Sequence, residues 1–285
     1  MADIKKRLPC NVPGDFFVDA SCIDCDICRE IAPDIFGEGK GSACVVKQPN
    51  TQEEREKTLM ALLSCPVGAI GTKRKEGVRD VIGKFPIKVE DGVYRCGLSS
   101  KKSYGAMSYF ILHPDGNWMI DSPRENAHLL KNIASLGGIK YIFLTHEDDI
   151  ADAEFYAKAF KAKVIIHERD AHAYKYADIK VSGEDPVNIG DFTLIPTPGH
   201  TAGHMVLLYK KFLFCGDHIW YSPAKKRLWA SKEYCWYSWS EQLKSIKKLL
   251  DFRFEWILPG HGRSVKMDEE TIKKYIEEFL AMYNF

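Results

Sequence analysis

The chain has 285 residues, and its 40 lysines and arginines nearly balance its 39 aspartates and glutamates. A length of this order predicts two domains, each large enough to bury its own core. The basic residues are scattered rather than gathered into one block, which argues against a nucleic-acid partner. No apolar run is long enough to cross a membrane, and the basic N-terminus has no apolar stretch behind it, so we expect neither a membrane segment nor a signal peptide.

Four cysteines form the most specific pattern near the N-terminus. Cys22, Cys25 and Cys28 are each three residues apart, and Cys65 is followed directly by a proline. Three thiolates on one tight loop can bind one face of an iron–sulfur cube, and a Cys-Pro ligand returned by the fold closes the site. The pattern predicts one [4Fe–4S] cluster; the alternatives are structural zinc, which prefers two separated ligand pairs, and unliganded thiols.

Such a cluster implies a reducing interior, so we expect a cytoplasmic protein without a disulfide framework. The other cysteines are then expected to act as small buried hydrophobic residues. They are Cys10, Cys44, Cys96, Cys215 and Cys235.

The residues around the four cysteines resemble the single-cluster bacterial and archaeal ferredoxins. The similar stretches are FFVDASCIDCDICREIAPDIF at 16–36, VVKQP at 45–49 and SCPVGAI at 64–70. Where a two-cluster ferredoxin would have a second cysteine set, TQEEREKTLMALLS predicts a helix capped by Asn50 or Thr51. The resemblance therefore implies a ferredoxin-like α+β domain with one cluster.

A basic connector at 71–85, twice interrupted by glycine after its first residue, separates this region from the rest of the chain. We predict a ferredoxin-like domain at 1–75 and a second domain at 76–285. Beyond the connector, short apolar strands alternate with helical segments, which indicates an α/β layered domain. The predicted strands are VYRCGL, MSYFILH, NWMID, IKYIFLT, KVIIH, FTLIP, MVLLY and FLFCGD, and RENAHLLKNIASL predicts a helix.

Three polar motifs each follow an apolar strand of the second domain. PGHTAGH, CGDH and PGHG place His200, Asp217 and His261 on glycine-containing turns. One histidine beside a glycine is usually only a polar loop residue. Three such motifs in this order predict a catalytic metal site, in which protein ligands leave a position open for water.

The same motifs resemble those of the metallo-β-lactamase superfamily, and the similarity spans residues of about 86–285. It implies an αββα sandwich with metals at one edge, and it implies that His200, Asp217 and His261 are ligands, the first two central to catalysis. The superfamily's HxHxDH motif falls on LTHEDDIADA, so that His146 is the first ligand and Asp148 replaces the second histidine.

The rest of that motif can be aligned in two ways. Without a gap, Ile150 and Ala151 replace its aspartate and last histidine; with a two-residue insertion, Asp152 supplies the carboxylate and Ala153 replaces the histidine. We favour the insertion, which lets a helix begin near Ala151. The acidic run could instead only stabilise the N-terminus of that helix.

The resemblance thus implies one or two divalent metals, either iron or zinc, with manganese as a further option. The ligands for one metal would be His146, Asp148, His200 and Asp217, and those for a second metal, or for none, Asp152, Asp217 and His261. Such a site could activate water to hydrolyse an ester or thioester, as in the glyoxalase II branch.

Two alternatives to the hydrolase remain open. A carboxylate in place of an imidazole favours iron or manganese over zinc, and the flavodiiron relatives also have a carboxylate there. The protein could therefore be an iron oxidoreductase that acts on O2 or NO with electrons from the cluster or from a redox partner protein. It could also be an electron-transfer or binding protein whose degenerate site holds no metal. The sequence fixes neither the small-molecule substrate nor the oligomeric state.

Two further histidines and an aromatic cluster lie near these motifs. His204 ends PGHTAGH and is expected to orient or pack rather than to bind, and His167 ends a strand and is expected to be a polar cap. The aromatic residues after Asp217 are expected mostly to pack, with some ring walling the pocket. They are Trp220, Tyr221, Trp229, Tyr234, Trp236, Tyr237 and Trp239.

Overall fold

The computed structural model describes residues 2–74 and 76–285. The chain divides into two compact units: one runs up to Lys140 and includes Ala151–Lys161, and the other comprises Tyr141–Ile150 and Ala162–Phe285. Residue 75, at which the predicted domain boundary falls, lies outside the described residues. The domain limits 1–75 and 76–285 therefore stay a prediction.

Within its described residues, the first unit contains eight short strands and five α-helices. The strands are β1 (Phe16–Val18), β2 (Phe36–Glu38), β3 (Ala43–Val45), β4 (Ile70–Thr72), β5 (Ile87–Glu90), β6 (Val93–Arg95), β7 (Tyr109–Ile111) and β8 (Trp118–Ile120). The helices are α1 (Ile27–Ile31), α2 (Gln52–Ser64), α3 (Val78–Ile82), α4 (Ala127–Ser135) and α5 (Ala153–Phe160). β1 pairs with β4 and β2 with β3, both antiparallel, and β5 to β8 form an antiparallel meander.

Helix α2 illustrates how local sequence determines an element here. The hydroxyl of Thr51 accepts the amide of Glu54, which confirms one of the two predicted caps. The acidic residues Glu53 and Glu54 lie in the first turn, where the helix dipole favours negative charge. The helix ends at Ser64, so Cys65 directly follows its last turn.

The second unit contains the remaining strands and two α-helices. The strands are β9 (Tyr141–Phe143), β10 (Lys163–His167), β11 (Ile179–Val181), β12 (Val187–Ile189), β13 (Phe192–Pro196), β14 (Met205–Tyr209), β15 (Phe212–Gly216), β16 (Trp220–Ser222), β17 (Arg227–Trp229), β18 (Trp256–Pro259) and β19 (Val265–Lys266). The helices are α6 (Trp239–Lys248) and α7 (Glu269–Ala281). β9, β10 and β11 are parallel neighbours.

The larger sheet of this unit has the order β12-β13-β14-β15-β18-β19. Only β15 and β18 pair in parallel, and the other neighbours are antiparallel. One face of the sheet packs against α6 and α7. The buried side chains of this core include Ile195, Val206, Leu213, Cys215, Leu243, Ile246, Ile257, Ile272, Ile276 and Phe279.

Every predicted strand corresponds to a strand of the structure. Those at 163–167, 192–196 and 205–209 have the predicted limits, and the others are shorter. The predicted helix at 124–136 forms as α4. The connector at 71–85 is less irregular than its composition suggests, since it contains the end of β4 and the short helix α3. Among the described residues, no helix is both long and apolar enough to span a membrane.

Candidate functional site

The four cysteines of the predicted cluster site line one cavity in the first unit. Cys22 and Cys25 lie on the loop after β1, Cys28 lies in the first turn of α1, and Cys65 directly follows α2. The antiparallel pairing of β1 with β4 returns the Cys65 segment to the cysteine loop. All four thiols are free, as cluster ligation requires.

The cysteine loop is held in a bent conformation by one arginine. Asp24 and Asp26 have positive φ angles of 57° and 67°, in the left-handed region that aspartate tolerates better than most residues. The guanidinium of Arg29 binds both carboxylates, at 2.8 Å from Oδ1 of Asp24. The fixed bend keeps the thiols on either side of these residues at the cavity.

Backbone amides donate to two of the cavity's sulfur atoms. The amides of Asp24 and Ala43 lie 3.5 and 3.4 Å from Sγ of Cys22, and the amide of Ala69 lies 3.2 Å from Sγ of Cys65. Hydrogen bonds to thiolate sulfur help to set the reduction potential of an iron–sulfur cluster. The arrangement therefore suits thiolates rather than thiols.

Burial raises the pKa of Cys25 to about 12 and raises that of Cys28 well above its usual value. Neighbouring cysteine thiolates add to both shifts, because like charges crowd one cavity. Four thiolates are stable here only with a compensating cation, and the iron of a cluster supplies that charge. The residues present therefore fit a [4Fe–4S] group.

The five cysteines outside the predicted cluster site are expected to act as small buried hydrophobic residues, and only some of them do. Cys96 and Cys215 are fully buried, as expected, while Cys235 is partly exposed. Cys10 and Cys44 form a disulfide with a Cα–Cα distance of 5.8 Å, so the prediction that both act as free buried hydrophobic residues is wrong. The two cysteines are separated by 34 residues, and only the folded backbone reveals that they are neighbours.

Strand ends of the second unit bring the predicted metal ligands together. His146 and Asp148 follow β9, His200 follows β13, Asp217 directly follows β15, and His261 follows β18. His146 and His200 are buried, whereas the Asp148 side chain keeps 48% of its surface exposed. The site is therefore open to solvent on its Asp148 side.

Two imidazole nitrogens lie near two carboxylate oxygens. Oδ2 of Asp148 lies 3.3 Å from Nε2 of His200 and 3.9 Å from Nε2 of His146. Oδ2 of Asp217 lies 3.7 and 3.8 Å from the same two nitrogens. Ligand atoms of His146, Asp148 and His200 lie within 4.8 Å of one another. Ligands about 2.0 Å from a tetrahedral metal are roughly 3.3 Å apart, so a contraction of these groups would hold a divalent ion.

The hydrogen bonds of the two imidazoles favour the same use. Nδ1 of His200 donates to the backbone carbonyl of Tyr234, and Nδ1 of His146 lies 2.9 Å from the hydroxyl of Thr145. A ligand histidine usually engages its second nitrogen in this way, so that its Nε2 faces the metal. The donor set thus fits a metal ion.

The charged groups of the site shift one another's pKa values. Burial lowers the pKa of His146 to about 4, so this imidazole is neutral and able to bind a metal at neutral pH. Burial alone would raise the pKa of Asp217, but His261, His146 and His200 hold it well below its usual value. The hydrogen bond to His200 lowers the pKa of Asp148, and it helps to raise that of His200 against the effect of burial.

His261 contacts Asp217. Its Nδ1 lies 2.8 and 2.9 Å from the two carboxylate oxygens of Asp217. A second carboxylate, that of Asp149, is also near this pair. Ligand atoms of His146, Asp149 and Asp217 lie within 4.8 Å of one another.

Sequence analysis did not select Asp149, which is 1% exposed. The signal was the acidic run EDD itself: residues 147–149 form a 3-10 turn, which brings the last acid of the run inward. A Cβ atom on Gly260 would lie 2.7 Å from Oδ2 of Asp149 and 2.9 Å from Oδ1 of Asp217, so the absence of a side chain at 260 makes room for both carboxylates.

Asp152 has other partners, although the favoured alignment made it a ligand. Its Oδ2 accepts the amide of Glu125 at 2.8 Å, and its Oδ1 pairs with the ammonium of Lys102. Both contacts lie in the first unit, and Asp152 belongs to neither group of potential metal ligands found among the described residues. Its role as a ligand stays an untested prediction, as do the other ligand and catalytic assignments.

The additional histidines are engaged as polar core groups. His204 is fully buried, with its ring 5.1 Å from that of His146 and its Nδ1 2.9 Å from the hydroxyl of Thr197. His167 is also buried, and its Nε2 lies 3.0 Å from the carbonyl of Gly183. These contacts agree with the expected orienting and capping roles.

A buried carboxylate that sequence analysis missed connects two ligand-bearing loops. Asp170, 1% exposed, accepts hydrogen bonds from the amides of Glu147 and Gly203 and from the hydroxyl of Thr201. The first donor precedes Asp148, and the other two lie in the loop of His200. The local sequence HERDAHAY at 167–174 does not indicate that Asp170 accepts these hydrogen bonds, because the donors come from distant parts of the chain.

An aromatic segment borders the candidate metal site. Trp236 and Tyr237 donate their amides to the carbonyl of His200, at 2.9 and 3.1 Å. The Trp236 ring is 5.9 Å from that of His200, and its indole Nε1 donates to Oδ2 of Asp148 at 3.1 Å. Tyr234, Trp236 and Tyr237 are 54 to 62% exposed, so these three rings of the predicted aromatic cluster are available to a ligand.

Comparison with known proteins agrees with both of the resemblances inferred from the sequence. Residues 18–72 match the 4Fe-4S single cluster domain of Ferredoxin I, and residues 104–261 match the metallo-β-lactamase superfamily. The solved structure of VMB-1 is similar in fold, with 19% identity over 70% of this chain and 96% of that chain, at a TM-score of 0.52. A mutant of the HARLDQ-motif metallo-β-lactamase of Cronobacter sakazakii shows 16% identity over 70% and 95%, at a TM-score of 0.50.

The predicted fold class is therefore confirmed: a small ferredoxin-like region precedes a mixed α/β metallo-β-lactamase fold. The superfamily match covers more than half of the chain, and the solved structures support its fold. The chain belongs to the metallo-β-lactamase superfamily and carries a [4Fe–4S] single-cluster ferredoxin domain ahead of the superfamily fold.

Proposed function

We propose that the protein is a metal-dependent hydrolase of a small ester or thioester, with a [4Fe–4S] electron-transfer domain attached. The observation that carries this proposal is that each of two imidazole nitrogens lies 3.3 to 3.9 Å from each of two carboxylate oxygens, at a solvent-open strand edge. His146, Asp148, His200 and Asp217 would hold the metal. A metal there would polarise a substrate carbonyl and lower the pKa of a nearby water.

The surrounding residues have separate tasks in this proposal. His200 is oriented by the carbonyl of Tyr234, and Asp217 keeps its negative charge because three histidines surround it. Asp148 lies at the exposed side, where a substrate would enter. The adjacent Trp236 ring provides an apolar surface for the non-reacting part of that substrate.

A second candidate is an iron oxidoreductase that receives electrons from the cluster or from a redox partner protein. The observation that favours it is the carboxylate of Asp148, which makes a donor set of two imidazoles and two carboxylates. Oxygen ligands favour iron or manganese over zinc, and the same chain already requires iron for its cluster. Both candidates require a metal at this site.

Metal analysis of protein purified without oxygen tests the proposal, together with assays on a panel of ester and thioester substrates. His200→Ala should lose the bound metal and the hydrolysis, while His128→Ala, at an exposed position on α4, should change neither. Hydrolysis that survives destruction of the cluster supports the hydrolase. If cluster reoxidation by O2 or NO is fast only with His200 intact, and no substrate is hydrolysed, the oxidoreductase takes its place. Wild-type metal content in His200→Ala contradicts both.

A further inference from the structure

An arginine from the metallo-β-lactamase match binds the backbone of a cluster ligand. Arg124 donates to the carbonyls of Cys65 and Ser99, each at 3.1 Å, and to that of Leu63. Arg124 lies within residues 104–261 and Cys65 within residues 18–72, so one side chain joins the two family regions inside the first compact unit.

The backbone of Arg124 is held by bonds that do not involve its guanidinium. Its amide donates to the carbonyl of Leu98 at 3.0 Å, and its own carbonyl accepts the hydroxyl of Tyr156 at 2.9 Å. The next amide, that of Glu125, binds Asp152. Substitution of the side chain at 124 therefore leaves these backbone contacts in place.

The guanidinium carries a charge that no carboxylate balances. Among residues 2–74 and 76–285, no aspartate or glutamate oxygen pairs with Arg124, and its other hydrogen-bond acceptors are neutral carbonyls. Burial lowers the pKa of Arg124, but the nearby Cys65 thiolate acts against that shift. An arginine remains protonated under such conditions, so a fixed positive charge lies beside the ligand.

We propose that Arg124 is a positioning residue that raises the reduction potential of the [4Fe–4S] cluster. One-electron reduction adds a negative charge to a cluster already held by four thiolates. A partly buried, uncompensated cation stabilises the reduced state more than the oxidised one, and charge and hydrogen bonding are established determinants of cluster potential. The guanidinium also holds the segment that ends in Cys65, so the charge stays at a fixed distance from that ligand.

The test is a redox titration of the full-length, reconstituted protein without oxygen, followed by absorbance and by EPR of the reduced cluster. Arg124→Gln removes the charge and keeps a donor, and its midpoint potential should shift to a more negative value. Arg124→Lys should shift the potential in the same direction by less, because an ammonium is charged but cannot hold three carbonyls. The matched control is Arg253→Gln, at a side chain that is 82% exposed, and it should leave the potential unchanged.

Iron and sulfide content and the EPR spectrum show whether each variant retains its cluster. A wild-type potential in Arg124→Gln with full cluster content overturns the proposal. If Arg124→Gln does not retain the cluster, Arg124→Lys decides, and an unchanged potential there overturns the proposal. Loss of the cluster from both variants would make Arg124 a purely structural residue and would overturn it as well.

Discussion

The indole Nε1 of Trp236 donates a hydrogen bond to Oδ2 of Asp148 at 3.1 Å, although 88 residues separate the two. The same oxygen faces Nε2 of His200. A half-exposed carboxylate would otherwise be free to rotate into solvent, so the indole preselects the orientation in which Asp148 can serve as a ligand.

Trp236→Phe keeps an aromatic ring and removes this donor. Because loss of a partner that orients a ligand typically costs about 10- to 100-fold in metal affinity, we expect a decrease of that order. Competition with a chromophoric chelator measures it. Tyr237→Phe is the control, since it also alters an exposed aromatic residue of the same segment. Equal metal affinities in the two variants would show that the hydrogen bond has no part in metal binding.

Cys65→Ser should abolish the [4Fe–4S] cluster. The substitution removes one of four sulfurs in the cavity, and a serine hydroxyl is a poor replacement for a thiolate. Visible absorbance and counts of iron and sulfide check this result. Cys235→Ser, in the second unit, should retain full cluster content. A wild-type cluster in Cys65→Ser would mean that the cavity is not the cluster site.

Gly260→Ala should displace the carboxylates of Asp149 and Asp217, because the added Cβ would lie less than 3 Å from an oxygen of each. The backbone at 260 does not have positive φ, so the substitution tests space rather than backbone strain. Bound metal per chain should fall below the wild-type value. Gly83→Ala is a suitable control, since a Cβ there meets only a carbonyl oxygen at 3.9 Å. Unchanged metal content in Gly260→Ala would exclude a contribution of this carboxylate pair to binding.

Acid should weaken the fold partly through His218. Burial lowers the pKa of this residue from 6.5 to about 3 in the folded protein. Below pH 6.5 this imidazole is therefore protonated in the unfolded chain but stays neutral in the folded chain. The free energy of unfolding decreases as the pH falls. One pKa unit corresponds to about 1.4 kcal/mol, so the contribution lost between pH 6.5 and pH 5 is about 2 kcal/mol.

Urea unfolding at pH 7 and pH 5, followed by tryptophan fluorescence, measures this loss. His218→Gln should narrow the difference between the urea midpoints measured at pH 7 and at pH 5, because glutamine does not titrate. His128→Ala, at an exposed histidine, should keep the wild-type difference. If His218→Gln also keeps it, the acid sensitivity originates elsewhere.

Local patterns predicted much of this structure. The spacing of Cys22, Cys25 and Cys28 depends on one short loop, and the cap at Thr51 depends on residues three apart, so both could be inferred directly. The strands were found because their apolar runs are continuous. His200, Asp217 and His261 follow such runs, and the structure places all three near one another.

What the sequence could not reveal depends on distant contacts. Whether Asp149 or Asp152 points toward the candidate metal site is decided by a 3-10 turn at 147–149 and by partners at Lys102 and Glu125. The disulfide of Cys10 and the carbonyl contacts of Arg124 likewise join segments that no local pattern relates.

The buried carboxylate of Asp170 has a consequence for motion. Because it binds Glu147 in one ligand-bearing loop and Thr201 and Gly203 in the other, neither loop can open without breaking bonds to the same anchor. The amides of Glu147 and Gly203 should then exchange with deuterated solvent as one cooperative unit, at rates that change together when Asp170 is replaced by Asn.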